Sequence, residues 1–212
     1  MRETPDDPDA LEAAAEPAVL GEAGAALLFT RARTAYDFTD EPLSDADLEA
    51  IHALAKWAPT AVNGQPLRIV AVRSPEAKAR LLPLLPRGNR EQSASAPVTL
   101  VLGADLAFQE TLTALHPRGA RYRDLMREDA GLRRSMAISS AYIQAGFLIE
   151  AIRARGFAAG PMSPMNEDAL RDEYFPGSQV EPILLVNLGR PSASAFQERN
   201  PRLGFADAWT IL

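Results

Sequence analysis

A short stretch rich in arginine and hydroxyl residues, TRARTAYDF, occupies residues 30–38. Thr30, Arg31, Arg33 and Thr34 place two guanidinium groups and two hydroxyls within five residues. Arginine binds phosphate through paired hydrogen bonds, and hydroxyls add short donors. The stretch indicates either a phosphate site or a solvated helix end, and its composition favours neither.

Two further polar stretches offer uncharged or cationic donors. PRGNREQSASAP contains Asn89 and Gln92, whose amides can bond the edge of a polar ring or cap a helix. ERNPRLGF, near the end of the sequence, contains Arg199 and Arg202. These two arginines could add donors to an anion site or be ordinary surface residues.

The loop WAPTAVNGQP, residues 57–66, is polar without a single charge. Its two prolines and Gly64 are turn residues that would carry the chain from a helix into a strand. Thr60 and Asn63 remain as uncharged donors and acceptors. The loop is therefore either a tight connection or part of a binding surface.

Several classes of chemistry lack the residues that they need. The sequence has no cysteine, which excludes thiol nucleophiles and cysteine-ligated metals, and its two histidines, His52 and His116, make a multi-histidine metal site improbable. It also lacks the P-loop, the dinucleotide-binding glycine pattern, G-x-S-x-G and H-E-x-x-H. His52 lies beside the apolar stripe of a predicted helix, and a structural role is favoured over proton donation.

Charge and hydropathy argue against nucleic-acid and membrane partners. The net charge is −6, and residues 1–30, with seven acidic residues and one arginine, account for it. The remaining chain is balanced, so no field attracts nucleic acid. Residues 1–16 are predicted to be a disordered acidic segment, because such sequence buries too little apolar surface to fold. Without a signal peptide or an apolar run long enough to span a bilayer, the protein is expected to be cytoplasmic.

The elements that would position these residues follow from periodicity and capping. A helix is predicted after Ser44, with Asp47 completing a capping box, and another after Ser74 with Pro75 in its first turn. The stretch 132–156 predicts a long buried helix ended by Gly156, with Trp57 and Tyr142 expected in core packing. Apolar runs at 67–73, 97–103 and 182–189 predict buried strands, and FAAGPM predicts a short strand or extended segment. The fold class is α+β or an α/β sandwich.

The order of these motifs resembles the FMN-dependent nitroreductase family over about residues 27–212. KWAPTAVNGQP and AAGPMS carry the most specific part of the likeness, and the chain is most similar to the malonic semialdehyde reductase branch. The resemblance implies an α+β fold with a mixed sheet wrapped by helices, formed by residues 17–212 as a single FMN-binding domain. It also implies a homodimer with both subunits contributing to each FMN site.

The resemblance assigns site residues by position. It implies that Arg33, Thr34 and Arg202 hold the FMN phosphate, that Asn89 and Gln92 contact the pyrimidine edge, that Pro59, Thr60, Ala61 and Asn63 form a loop across the dimer interface, and that Pro161, Met162 and Ser163 lie along the flavin. The family pattern has an arginine two residues before the hydroxyl residue. Here Arg31 lies three before Thr34 and Arg33 one before it, and Arg33 is favoured.

The implied reaction transfers a hydride from NADH or NADPH to FMN and then to a small organic substrate, with malonic semialdehyde as the specific candidate. No catalytic side chain can be assigned, because the cofactor carries the chemistry. One departure is Pro164, where the family has glycine: proline has no N–H to donate. A non-redox flavin-binding or regulatory protein of the same fold is therefore an alternative, as is a structural domain without ligand.

Overall fold

The computed structural model describes residues 19–164 and 166–212. The chain forms two compact units, one up to Ala32 and one from Arg33 to Leu212. In the first unit, helix α1 (Glu22–Ala25) continues into a π-helical turn (Ala26–Thr30). The predicted disordered segment 1–16 lies outside the described residues, and a single domain spanning 17–212 stays a prediction.

The second unit is built on a four-stranded sheet. Its strands are β1 (Leu67–Val72), β2 (Val98–Asp105), β3 (Ala158–Met162) and β4 (Val180–Gly189). They lie in the order β1-β2-β4-β3, and all three pairings are antiparallel. The predicted strands are confirmed, but the expectation that 67–73 is buried is wrong. β1 is an edge strand and leaves Ile69 39% exposed.

Helices cover this sheet on both faces. The helices of this unit are α2 (Asp45–Ala55), α3 (Pro75–Leu81), α4 (Arg87–Ser95), α5 (Leu112–Leu115), α6 (Gly119–Glu128), α7 (Ala130–Ala154), α8 (Glu167–Tyr174) and α9 (Phe205–Ala208), with short 3₁₀ turns at Ala61–Asn63, Leu82–Leu84 and Phe108–Thr111. The predicted capping box is present: Ser44 Oγ accepts the Asp47 N–H, and the Asp47 carboxylate accepts the Ser44 N–H.

Two hydrophobic cores lie on opposite faces of the sheet. The larger one joins α2 and α7 to the sheet, for example through Ile51, Leu148 and Leu188. The smaller one packs Leu81 of α3 and Leu170 of α8 against the other face. Because side chains alternate along a strand, one sheet supplies both cores. The fold is thus α+β, with a sheet wrapped by helices, as expected. In the described residues this sheet is antiparallel throughout and not mixed as the resemblance implied.

Helix α7 is the central helix, and Gly156 follows it at φ 77°, the left-handed conformation that favours glycine. The helix is long and apolar enough to cross a membrane by length and composition alone, but eight of its residues are buried, which fits a core helix. The expectation that it is buried all round is wrong. Tyr142, Ile143 and Phe147 are 50%, 46% and 42% exposed, and they give α7 one apolar face that the described chain leaves open to solvent.

Candidate functional site

A small polar cavity brings together two segments that lie far apart in the sequence. It has a volume of about 90 Å³. Its lining residues are Arg33, Thr34, Tyr36, Gln197, Glu198, Arg199, Asn200 and Arg202. Three arginines against one glutamate give this arginine cavity an excess of positive charge, which suits an anion. The three residues predicted to hold a phosphate, Arg33, Thr34 and Arg202, all lie in its wall.

Backbone carbonyls and one aromatic ring orient the two key arginines of this cavity. Arg33 donates to the Gln197 carbonyl at 2.9 Å, and its guanidinium lies over the Phe196 ring, 5.3 Å from the centroid. Arg202 donates to the carbonyls of Asn200 and Pro201 at 2.9 and 3.1 Å. Because a guanidinium has five N–H donors, each side chain keeps donors for an anion after these bonds are made.

A carboxylate outside the cavity wall joins the two segments. Asp37 Oδ2 accepts hydrogen bonds from Ser192 Oγ at 2.5 Å and from Ser194 Oγ at 3.0 Å. The Ser194 N–H in turn donates to Ser192 Oγ. These hydroxyls hold the pKa of Asp37 below its ordinary value, so the carboxylate is ionised at neutral pH. We call Asp37, Ser192 and Ser194 the carboxylate clamp.

Helix α4 presents Asn89 and Gln92 on one half-buried face. The two side chains are one helical turn apart, and Gln92 Nε2 donates to Asn89 Oδ1 at 2.9 Å. This bond leaves two side-chain groups for a ligand, the N–H₂ of Asn89 and the carbonyl oxygen of the Gln92 side chain. The pair could therefore offer one donor and one acceptor to a polar ring, and its contact with the pyrimidine edge stays a prediction.

A buried polar network fixes α4 to the sheet. Asn187 of β4 donates from Nδ2 to Ser93 Oγ at 3.2 Å and accepts from Thr99 Oγ1 at 2.8 Å. Ser93 Oγ also contacts Met162 Sδ at 3.9 Å. Lys78 donates to the carbonyls of Ser93 and Ala96, which lie at the end of α4 where a cation is favourable. The amide pair of α4 is thereby held beside β3.

Strand β3 carries the predicted flavin-facing segment. The Ala35 N–H donates to the Ala159 carbonyl at 3.0 Å, which ties β3 to the chain just after Arg33 and Thr34. Met162 is 9% exposed, and its side chain packs in the smaller core, so it can serve a ligand only through its backbone. Ser163 is exposed and is followed by Pro164, which has no N–H. The Ala35–Ala159 bond, the contact of Met162 with Ser93 of α4 and the buried cluster of Ala35, Ala96 and Ala158 thus link β3 to α4 and to the chain that follows Arg33 and Thr34.

The loop after α2 is anchored elsewhere. The Ala61 N–H donates to Ser140 Oγ of α7 at 3.2 Å, and Asn63 Nδ2 donates to the Leu115 carbonyl at 2.9 Å. Thr60 Oγ1 accepts the Gln65 N–H, so part of the loop's polarity serves its own turn. Pro59 lies in the segment that leads from α2 into the 3₁₀ turn of this loop. These contacts fix the loop to the helices α5 and α7. The chain at the arginine cavity is instead bonded to β3, through Ala35, and to the C-terminal segment, through Arg33.

The same loop contains backbone conformations that side chains rarely adopt. Val62, Asn63 and Gln65 have φ values of 51°, 54° and 44°. Asparagine tolerates this region, whereas a β-branched residue such as Val62 is strained there. Trp57, just before the loop, is 62% exposed. The expectation that Trp57 and Tyr142 pack in the core is therefore wrong: both are exposed, beside the loop and on the open face of α7.

A second, apolar cavity of about 230 Å³ lies between α2, α7 and the sheet. His52, Lys56 and Gln144 are the polar residues of a lining that is otherwise aliphatic. Gln144 Oε1 accepts the Leu67 N–H at 3.0 Å, so its amide has a structural task. His52 is exposed on α2 next to the buried Ile51, and its structural role stays a prediction.

The carboxylate clamp is a part of the site that sequence reasoning does not predict. Asp37 and Ser192 are separated by 155 residues, and no motif spacing connects them. The repeated serines of PSASAF, which follow the last strand, were the only local signal. Within the described ranges, no group of three or more His, Asp or Glu residues could hold a metal ion.

The fold is α+β. The candidate site combines the arginine cavity, which suits an anion, with the edge strand β3 and with helix α4, which carries the side-chain amides of Asn89 and Gln92. The chain matches the Nitroreductase family over residues 30–190. A protein of Streptomyces coelicolor, named as a candidate NADH dehydrogenase/NAD(P)H nitroreductase, is 44% identical over 192 residues, 91% of this chain and 95% of its own. A similarly named protein of Leptothrix cholodnii is 38% identical over 185 residues, 87% of this chain and 94% of its own. This chain belongs to the nitroreductase family.

Solved structures share the fold. The crystal structure of a candidate nitroreductase in complex with FMN from Exiguobacterium sibiricum has a TM-score of 0.76 at 19% identity, covering 87% of this chain and 95% of that one. A gut-bacterial enone reductase of fatty acid saturation has a TM-score of 0.73 at 17% identity, covering 92% and 100%. At these identities the likeness concerns the fold.

Proposed function

We propose that this protein is an FMN-dependent oxidoreductase that takes a hydride from NADH or NADPH and delivers it to a small organic acceptor. The observation that carries the proposal is the convergence of Arg33, Thr34 and Arg202 in one polar cavity beside β3 and α4. The names of the curated relatives and the FMN complex of a structural neighbour support the same cofactor and reductant.

The arginine cavity fits the phosphate end of FMN. Arg33 and Arg202 supply charged donors and Thr34 a hydroxyl, which are the groups that bind phosphate oxygens most strongly. Arg199 and Asn200, from the same C-terminal stretch, add further donors. Glu198 is the one acidic residue in the wall, and the three arginines outweigh it.

The amide pair of α4 fits the polar edge of the flavin. A pyrimidine edge alternates carbonyl oxygens with N–H groups, and the Asn89 N–H₂ and the Gln92 carbonyl match one of each. Ser163 can offer its backbone N–H at the end of β3, where Pro161 and Met162 lie along the strand. When bound, FMN supplies the hydride transfer. The protein's own part is to bind and orient the flavin.

A second copy of this chain completes the proposed site. The exposed apolar face of α7 contains Tyr142, Ile143 and Phe147, and no charged residue occurs from Ser135 to Ile149. The C-terminal segment is also apolar and open, with Leu203, Phe205 and Trp209 more than 60% exposed. Such surfaces mark protein contacts. In the homodimer, the loop of Pro59, Thr60, Ala61 and Asn63, anchored on α7, faces the flavin of the partner.

The proposed substrate is malonic semialdehyde, reduced to 3-hydroxypropionate. Its support is the resemblance of KWAPTAVNGQP and AAGPMS to the corresponding reductases. Hydride addition to the aldehyde carbon, with a proton taken up by its oxygen, gives the alcohol. Steady-state assays of this aldehyde against nitroaromatics, quinones and enoates test the assignment, and a higher kcat/KM for any of the other classes overturns it.

Pro164 favours a second candidate, a flavin-binding protein without redox activity. Proline after Ser163 removes an N–H at the end of the flavin-facing segment. A flavoprotein that binds FMN yet resists reduction is the expected behaviour of such a protein. We propose a soluble, cytoplasmic protein in either case, without nucleic-acid or membrane partners.

One spectroscopic experiment separates these possibilities. The purified protein is expected to be yellow, with a flavin absorbance that bleaches rapidly on anaerobic addition of NADH or NADPH. Bound flavin that does not bleach with either nucleotide supports the non-redox candidate. Protein that binds no flavin, even after incubation with FMN, contradicts both.

A further inference from the structure

The arginine cavity depends on keeping two distant segments side by side. One half of its wall comes from residues 33–36 and the other from residues 197–202. From Phe196 to the C-terminus every residue is exposed, so burial does little to hold that half in place. Whatever fixes the chain just before Phe196 therefore sets the geometry of the cavity.

The carboxylate clamp lies at that point. Asp37 follows the Arg33 half of the wall, and Ser192 and Ser194 precede the Arg202 half. The Tyr36 N–H donates to the Ala195 carbonyl at 2.9 Å, and Ala195 is fully buried beside Ala35. The clamp and this backbone bond fix the last buried residue before the open segment.

The clamp also shapes the turn that leads into the cavity wall. Ser192 accepts the Ser194 N–H with its side chain and the Ala195 N–H with its carbonyl, at 3.2 Å in both bonds. This turn delivers Phe196 beneath the guanidinium of Arg33. A hydrogen bond to a carboxylate is stronger than one between neutral groups. Asp37 therefore holds the conformation of this turn more firmly than an asparagine at the same position would.

We propose that Asp37, with Ser192 and Ser194, is a positioning device that holds the two halves of the arginine cavity in register and thereby gives the protein its preference for FMN over riboflavin. Asp37 does not line the cavity, and its Oδ2 already accepts the hydroxyls of Ser192 and Ser194. Its effect on phosphate binding is therefore through the placement of Arg33 and Arg202. This inference rests on the proposed FMN site and deepens it.

The test compares two flavins that differ only in the phosphate. FMN and riboflavin are titrated into flavin-stripped, full-length protein, and Kd is measured by fluorescence quenching. In Asp37→Asn and in the double variant Ser192→Ala/Ser194→Ala, we expect the Kd for FMN to rise about 10-fold or more while that for riboflavin changes less than about 3-fold. The single variant Ser192→Thr keeps a hydroxyl at this position and is expected to retain most of the FMN preference.

A matched control is the Asp47→Asn variant. Asp47 also accepts a serine hydroxyl, that of Ser44 at 2.6 Å, but it does so at the start of α2. This variant is expected to keep the FMN preference. If Asp37→Asn weakens both flavins equally, or leaves the preference intact, the clamp proposal is overturned. A wild-type protein that binds neither flavin, or both alike, contradicts the FMN site itself, so the two failures are distinguishable.

Discussion

Arg202 illustrates what a single residue adds to this site. It is exposed near the C-terminus, and two backbone carbonyls orient its guanidinium into the cavity shared with Arg33 and Thr34. A charged donor forms its strongest hydrogen bonds with a charged acceptor such as a phosphate. Its contribution should therefore be specific to the phosphate of the ligand and should leave the folding of the protein almost unchanged.

The substitution Arg202→Ala is expected to raise the Kd for FMN by about 10- to 100-fold, the size of one or two hydrogen bonds between charged groups. Titration of the stripped protein with FMN and with riboflavin measures this effect. Arg171→Ala removes an exposed arginine from α8 and serves as the control. An equal loss of riboflavin binding in Arg202→Ala would argue against a phosphate contact.

The loop after α2 shows how one element can serve both fold and site. Its uncharged polarity suggested a binding surface, and the structure assigns part of that polarity to the loop itself. Asn63 bonds the Leu115 carbonyl and accepts from Gln65, while its backbone adopts a left-handed conformation. A substitution at Asn63 therefore acts on the backbone as well as on any ligand.

Two substitutions at Asn63 separate these effects. Asn63→Ala and Asn63→Gly both remove the side-chain bond, but alanine is strained at a positive φ and glycine is not. We expect Asn63→Ala to be less stable than Asn63→Gly by about 1 kcal/mol, measured by urea unfolding. If the side chain serves the flavin of a partner subunit, both variants lose FMN more readily than wild type. FMN retention equal to wild type in both would leave the loop with a purely structural role.

At the scale of the whole molecule, two apolar surfaces stay uncovered by the residues that the structure describes, the open face of α7 and the C-terminal segment. Exposed aromatic side chains such as Phe147 and Trp209 are costly in a monomer and typical of a subunit interface. A homodimer would cover them and would also place the strained loop against a second flavin. Assembly and cofactor binding should then be coupled.

A charge placed on the open face of α7 tests this coupling. Phe147→Glu is expected to convert the dimer into a monomer, measured by analytical ultracentrifugation, and to lower FMN retention at the same time. Leu125→Glu introduces the same charge at an exposed leucine of α6 and serves as the control. A Phe147→Glu protein that stays dimeric, or a wild type that is monomeric, would contradict the proposed interface.

The sequence by itself determined the local features of this protein. Ser44 with Asp47, Ser74 with Pro75, and Gly156 marked helix ends correctly, because capping depends on residues only a few positions apart. The strands were also predictable from the apolar runs. The resemblance to a family, and no spacing within the sequence, grouped Arg33, Thr34 and Arg202, which line one cavity in the structure.

Only the tertiary structure decided which surfaces are buried and which distant groups meet. An apolar run has the same sequence signature in an edge strand as in a central one, so the exposure of β1 was not predictable. The apolar residues of α7 gave no sign that one face stays open to solvent. Asp37 meets Ser192 across 155 residues because the chain around Phe38 pairs antiparallel with the chain around Pro191, just after β4, and no local pattern in the sequence records that contact.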